Sequence, residues 1–303
     1  MKIRFTVMFT IMALLCSMGS MSYANSDSDP FDRFIKPVTN PVYFDEVNNR
    51  TYVHVVHALQ QLPNHIRTEL GRLPLDGTLN LTAVRINFAV NERFSLIAAK
   101  DGYIDFDPDS TLDSGNGWGD VAAGLKYALV YDPDDEFILS GKVLFEFSNG
   151  DRDVYQGNGD GNAAPSLSFL KGYDKLQLQG TIGGVIPFNH NKESTLLYTS
   201  WHASYAVTPE FFPLIEVNYF RVIRNGDQSW LASQVARFEG APDVANLGSK
   251  NGTSHRNYVT LALGARYRVF DRMDFGFAWE TPLHKPNQGL IQNRYTIDVV
   301  FHF

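Results

Sequence analysis

Three groups of residues in this 303-residue chain have types and spacings that chemistry could use. Asp105, Asp107 and Asp109, with Asp113 nearby, alternate like the oxygen ligands of a calcium loop, and a hard cation needs several such oxygens in one place. The pattern then departs from that form. Its sixth position is Ser110 where the turn wants Gly, and its twelfth is Asn116 where a bidentate Glu belongs. A solvated acidic loop accounts for the four aspartates, and no metal site is assigned. His54, His57 and His65 stand close in sequence, and His202 stands apart with no obvious partner. A lipid hydrolase would need a Ser, a His and a polar orienting group in one constellation. No Gly-x-Ser-x-Gly or Asn-Gly-x-Ser segment marks a nucleophile, so no catalytic residue or cofactor is assigned and the chain reads as a non-enzyme. The third group consists of charges set into apolar segments: Arg85, Lys126, Lys142, Glu146, Glu216, Arg266, Arg268, Asp274, Glu280 and Asp298. Both signs are present, and together they ask for an interior that is wet or internally paired.

The elements that carry these charges are strands. In Tyr295-Thr296-Ile297-Asp298-Val299-Val300-Phe301-His302-Phe303 every odd position is aromatic or β-branched, which puts Thr296, Asp298 and His302 on the opposite face. Met273, Phe275, Phe277 and Trp279 share a face in the segment before, as do Val259, Leu261, Leu263, Ala265 and Tyr267 in 257–269. The same rule predicts strands over 51–60, 79–90, 93–104, 119–131, 136–147, 164–171, 175–187, 195–206, from 211 onward, 257–269, 272–281 and 292–303. The first is the least regular, since His54–Leu70 also reads as a short helix broken at Pro63. Short turns at 91–92, 132–135, 172–174, 208–210 and 270–272 alternate with longer loops, of which 224–256 is the longest. A soluble sandwich has no reason to sort its connections by length, whereas a transmembrane barrel does. The predicted fold is therefore all-β: a transmembrane antiparallel up-and-down barrel of about twelve strands. The ten charges would line its lumen, and Tyr205, Tyr267, Trp279 and Phe303 would form interface girdles.

The ends agree with that expectation. Lys2 and Arg4 precede an apolar run from Phe5 to Cys16, and Ser22-Tyr23-Ala24 offers small residues for cleavage, so 1–24 reads as a signal peptide. The apolar run is too short for a spanning helix, which needs about 20 residues. Leu15 is too bulky to make Cys16 a lipoprotein cysteine. Residues 25–50, with Pro30, Pro37 and Pro41 and much charge, read as a periplasmic extension that either tethers or folds into the lumen as a plug; 51–303 is the barrel. Loss of Lys2 and Arg4 takes the net charge from −7 to −9, which excludes a basic nucleic-acid footprint. No cysteine remains to form a disulfide. Tyr295, Phe301 and the final Phe303 resemble the C-terminal signature read by the barrel-assembly machinery of bacterial outer membranes.

Two glycine segments carry a further resemblance. Gly117-Trp118-Gly119-Asp120 leads into Val121-Ala122-Ala123-Gly124-Leu125-Lys126-Tyr127, and Gly157-Asn158-Gly159-Asp160 leads into Ala163-Ala164-Pro165-Ser166-Leu167-Ser168. This pattern, with Asn40-Pro41-Val42-Tyr43-Phe44, resembles the outer-membrane proteins grouped with the meta-pathway of phenol degradation. No strand–helix context surrounds the first segment, so it is not a dinucleotide fingerprint. Read locally, the glycines allow positive φ where loops re-enter the wall, and the Asp side chains can bond nearby amides. The resemblance implies a channel or transporter of the outer membrane for small, apolar or aromatic solutes. Its partners would be outer-membrane lipid, lipopolysaccharide and the assembly machinery. The rival expectations are a lipid-modifying hydrolase and a non-conducting surface barrel.

Overall fold

The computed structural model describes residues 29–68, 71–227, 242–248, 255–270 and 272–303. The expected signal peptide, Asp271 of the last short turn and most of the longest expected loop lie outside them. Twelve long strands form the wall: β1 (Tyr52–Gln61), β2 (Gly77–Asn91), β3 (Phe94–Pro108), β4 (Val121–Asp132), β5 (Phe137–Phe147), β6 (Asn162–Tyr173), β7 (Leu176–Pro187), β8 (Thr195–Tyr205), β9 (Phe211–Arg224), β10 (Asn257–Val269), β11 (Met273–Pro282) and β12 (Asn293–His302). Each pairs antiparallel with its sequence neighbours, and β1 returns to β12 in continuous register from Tyr52↔His302 to Gln61↔Asn293. Closure leaves none of these twelve strands with an unpaired edge, the condition for placing strands in lipid. The irregular segment at His54 is thus strand, not helix; it is held on one side by β12 and on the other by β2.

Connections sort by length as the composition demands. One end carries tight turns after Asn91, Asp132, Tyr173, Tyr205 and Val269, and the chain leaves the wall there on both sides. Asn91 Oδ1 accepts from the amides of Arg93 and Phe94, both at 2.9 Å, and Asp132 Oδ1 accepts from Asp135 N at 3.1 Å, as turn-forming side chains do. The other end carries the long loops, one of which contains the small hairpin His65–Thr68 with Gly71–Pro74. Strand β3 runs four residues past its expected end at 104. Tyr103–Phe106 pairs there with a short strand, Gly115–Trp118, so Asp105 and Asp107 stand on a strand ladder rather than in a loop.

Alternation decides which way each side chain points. Ile297, Phe301, Phe275, Phe277, Leu263 and Tyr267 are exposed on the outside, while Thr296, Asp298, Asp274 and Arg266 are buried inside. Tyr205, Tyr267 and Phe303 at the turn end, and Trp279 toward the loop end, are also exposed outward, where interface aromatics belong. Such a band of Phe, Leu, Ile and Trp would be costly against water and is favourable against hydrocarbon.

Candidate functional site

The candidate site is the barrel interior, and it is layered. Residues 29–50 run inside it, so the inward side chains meet protein in the turn-end half. Six of the ten expected inward charges bond to this segment. Lys126 Nζ donates to the carbonyls of Glu46 at 2.8 Å and Asn48 at 2.6 Å. Lys142 Nζ donates to the Tyr43 carbonyl at 3.0 Å, and Arg266 Nε to that of Lys36 at 2.9 Å. Arg268 reaches the Asp32 carbonyl at 2.8 Å, and Arg85 bonds both the Pro41 carbonyl and the Asp45 carboxylate. Glu216 receives the amides of Val38 at 2.9 Å and Thr39 at 2.8 Å. The segment has no regular secondary structure beyond one short 3-10 turn, Pro30–Arg33, so its backbone groups need such partners.

The remaining four charges pair across the wall. Asp298 takes Arg266 at 2.8 Å and His54 at 2.7 Å; Asp274 takes Arg268 at 2.8 Å; Glu146 takes Lys100 at 2.6 Å; Glu280 takes Arg294 at 3.4 Å. Burial raises the Asp45 carboxyl, but Arg85 and Lys36 outweigh that effect and hold it well below the usual carboxylate range. A buried charge left without a partner is strongly destabilising, and the pairing here gives each of these ten a counter-charge or a polar group.

The four histidines singled out by sequence stand apart from one another in the fold. His54 faces inward against Asp298, His57 faces outward beside Thr82 Oγ1 at 3.0 Å, and His65 is exposed on the loop hairpin. His202, for which no partner was evident, bonds Glu216 across β8 and β9 with Nδ1 to Oε1 at 2.8 Å. The two are in register, and register between strands is what a single strand's sequence does not display. Among the described residues no group of three or more His, Cys, Asp or Glu side chains is placed to hold a metal.

The glycine segments meet through one carboxylate. Asp120 Oδ1 accepts from Gly150 N at 2.8 Å and Gly157 N at 3.0 Å, so the first segment fastens the loop that carries the second. Gly157 and Gly159 have φ of +69° and +67°, as expected. Gly117 has no positive φ; it is small because a Cβ there would lie 2.6 Å from the Asp151 Cβ.

Toward the loop end the interior changes character. Leu79, Ile97, Ala99, Ile104, Phe106, Leu144, Ala164, Val185, Leu196, Tyr198, Phe220, Val222 and Tyr258 all point inward and form one apolar cluster with loop residues Leu62, Ile66, Leu75 and Leu290. Tyr43 of the internal segment joins it, with ring centroids 4.9 Å from Tyr198 and 6.2 Å from Phe220. Gly183 makes the space: a Cβ there would stand 2.4 Å from the Tyr198 hydroxyl. The signal for this layer was present in the alternation, since its residues occupy the inward positions nearest the long loops, but apolar residues on both faces of a strand read as a loss of pattern.

No protein-family profile matches the chain, and no curated protein matches it. Its structure resembles solved barrels. The COG4313 outer membrane channel from Pseudomonas putida F1 aligns over 89% of this chain and 100% of its own, with 14% identity and a TM-score of 0.57. The KdgM porin aligns over 83% and 99%, with 13% identity and a TM-score of 0.47. The likeness at this identity is one of fold. The chain folds as a closed, twelve-stranded antiparallel transmembrane barrel of the kind found among outer-membrane channels.

Proposed function

We propose that the protein is an outer-membrane channel for small apolar or aromatic solutes, with residues 29–50 forming its constriction and Arg85, Lys126, Lys142, Glu146, Glu216, Arg266, Arg268, Asp274, Glu280 and Asp298 the charged lining behind it. The observation that carries this reading is the apolar inward layer around Tyr43, Tyr198 and Phe220 on the loop side of a charged layer whose ten charges each meet a counter-charge or a polar group. An ion gains nothing from such a surface, whereas an apolar solute gains about 25 cal/mol for each Å² it removes from water. The fold of the Pseudomonas channel supports a channel role, and the Gly-x-Gly-Asp segments that resemble the phenol meta-pathway group support the solute class.

Planar-bilayer recordings of the purified mature protein test it. The expected result is a small conductance that phenol or benzoate blocks at concentrations where glucose does not. Absence of any conductance would leave a structural barrel, and equal block by glucose would remove the apolar specificity. Lipid turnover lost on substituting His202 would support a hydrolase instead.

A further inference from the structure

The outer wall of a barrel should be apolar, yet β9 ends with Arg221 directed outward and exposed. Its register partners are Leu197 on β8 and Asn257 on β10. Arg256, one residue before Asn257, is also exposed, and its carbonyl accepts from Val222 N at 2.8 Å. A bulge opposite Thr195 and Leu196 leaves Ile223 without a register partner on β8, while Val222 and Arg224 on either side stay paired. A cleft of about 380 Å³ lies at this place, lined by Leu197, Arg221, Val222, Ile223, Arg256 and Asn257. It sits on the outside at the loop end, with exposed Arg224 at its margin. Among the described residues no carboxylate pairs with any of the three arginines, and the neighbouring outward positions, Thr195, Thr199, Val259 and Leu261, carry no negative charge.

We infer that this cleft binds the phosphate of a phosphorylated, acylated glycolipid of the outer leaflet. Guanidinium groups suit a phosphate better than an uncharged headgroup, because each can present paired N–H donors to its oxygens. The apolar wall just toward the membrane centre is continuous with the cleft: Leu197, Trp201, Ile215 and Leu263 are exposed outward on the same strands. A free phosphate would use the arginines and leave that surface idle, so an amphiphile, with headgroup at the rim and acyl chains down the wall, matches both halves. The inference rests on the outer-membrane placement of the barrel.

The test compares retention of bisphosphorylated lipid A, the same lipid after dephosphorylation, and inorganic phosphate by the full mature protein in detergent, read by native mass spectrometry. The variants are R221Q with R256Q, and R93Q with R72Q as a charge-matched control away from the cleft. Wild type and the R93Q/R72Q control should retain the phosphorylated lipid roughly tenfold better than R221Q/R256Q, and should show little preference for the dephosphorylated form over other lipids. Equal retention by R221Q/R256Q overturns the site. Inorganic phosphate that displaces the lipid at comparable concentration overturns the lipid as its occupant. Should R221Q/R256Q fail to fold, the two lipid forms on wild-type protein still decide the matter, since equal retention of both rules out phosphate recognition. A protein that conducts in bilayers yet shows no phosphate preference loses this site alone, whereas one that neither conducts nor fractionates with outer membranes loses the placement beneath it.

Discussion

Glu216 holds the internal segment by three hydrogen bonds, and E216Q measures that attachment. The carboxylate accepts from Val38 N and His202 Nδ1 at Oε1, and from Thr39 N and the Thr39 hydroxyl at Oε2. Glutamine keeps one acceptor oxygen and turns the other into a donor, so whichever way the amide lies, one backbone N–H of the segment faces an N–H. The Thr39 hydroxyl cannot absorb the change freely, because Asn218 Nδ2 already donates to it at 2.9 Å. Two bonds to a charged acceptor, at about 1.5–3 kcal/mol each, are lost. The easier burial of a neutral amide offsets part of this. A net weakening of about 2–4 kcal/mol should raise the undocked population of the segment roughly 30- to 1000-fold. Cys16 is the one cysteine of the sequence, so in a chain expressed from residue 25 onward I35C, at a fully buried position of the segment, gives a single reporter whose alkylation tracks undocking. Faster alkylation in I35C/E216Q than in I35C, with heat-modifiable migration retained in both, is the expected result. Equal rates would refute the view that Glu216 holds the segment in place.

Four other perturbations follow from the same geometry. G183V should displace the Tyr198 ring, because even a Cβ overlaps it, and should lower block by aromatic solutes in bilayer recordings while leaving folding yield largely intact. Burial first, then the like charge of Glu146, raises the loop carboxyl of Glu193 to about 8. Its contribution to stability is therefore fully present below its unfolded pKa and is lost as pH rises toward and through 8, so thermal melts of E193Q should lose part of the decline seen between pH 5 and 9. F303D should impair assembly far more than H302N, read as folded yield, since Phe303 is 69% exposed on the outer face whereas His302 faces inward onto Asp274 at 3.2 Å. L263R should lower folded yield in liposomes by about 2–4 kcal/mol of stability if Leu263 lies near the midplane, and A262R should also be harmful.

Twelve strands, their outward faces and the inward direction of ten charges were legible because period-two alternation is a local property, repeated in each segment. Turn chemistry was equally local: Asn91, Asp132 and Thr208 cap turns with their own side chains. Contacts between distant segments were not legible. The pairing of His202 with Glu216 depends on the offset between β8 and β9, and the bridge from Asp120 to Gly150 and Gly157 depends on two loops meeting. The apolar layer beneath the loops hid for another reason. Strands with apolar residues on both faces, such as Leu196-Leu197 and Val222-Ile223, mimic irregular ends when read alone.

Ala262 shows what alternation leaves open. Its inward direction is readable from Leu261 and Leu263, and an inward alanine in a water-filled lumen would accept Arg with little cost, since the guanidinium would stay hydrated. The interior at this level is not water. Ala262 is fully buried in a cluster with Ile35, Val38, Phe212, Leu214 and Ala278, so its methyl group packs against the internal segment. An arginine there would have to displace that segment or desolvate beside Arg266, which is itself fully buried. The two substitutions should therefore both harm the protein, but in different ways. L263R should weaken the barrel in lipid and leave I35C protected in the molecules that fold. A262R should permit the barrel to close and expose I35C to alkylation. The same protection in both variants would mean that residues 29–50 do not pack against β10, and folding failure in both would make the position a test of the wall rather than of its contents.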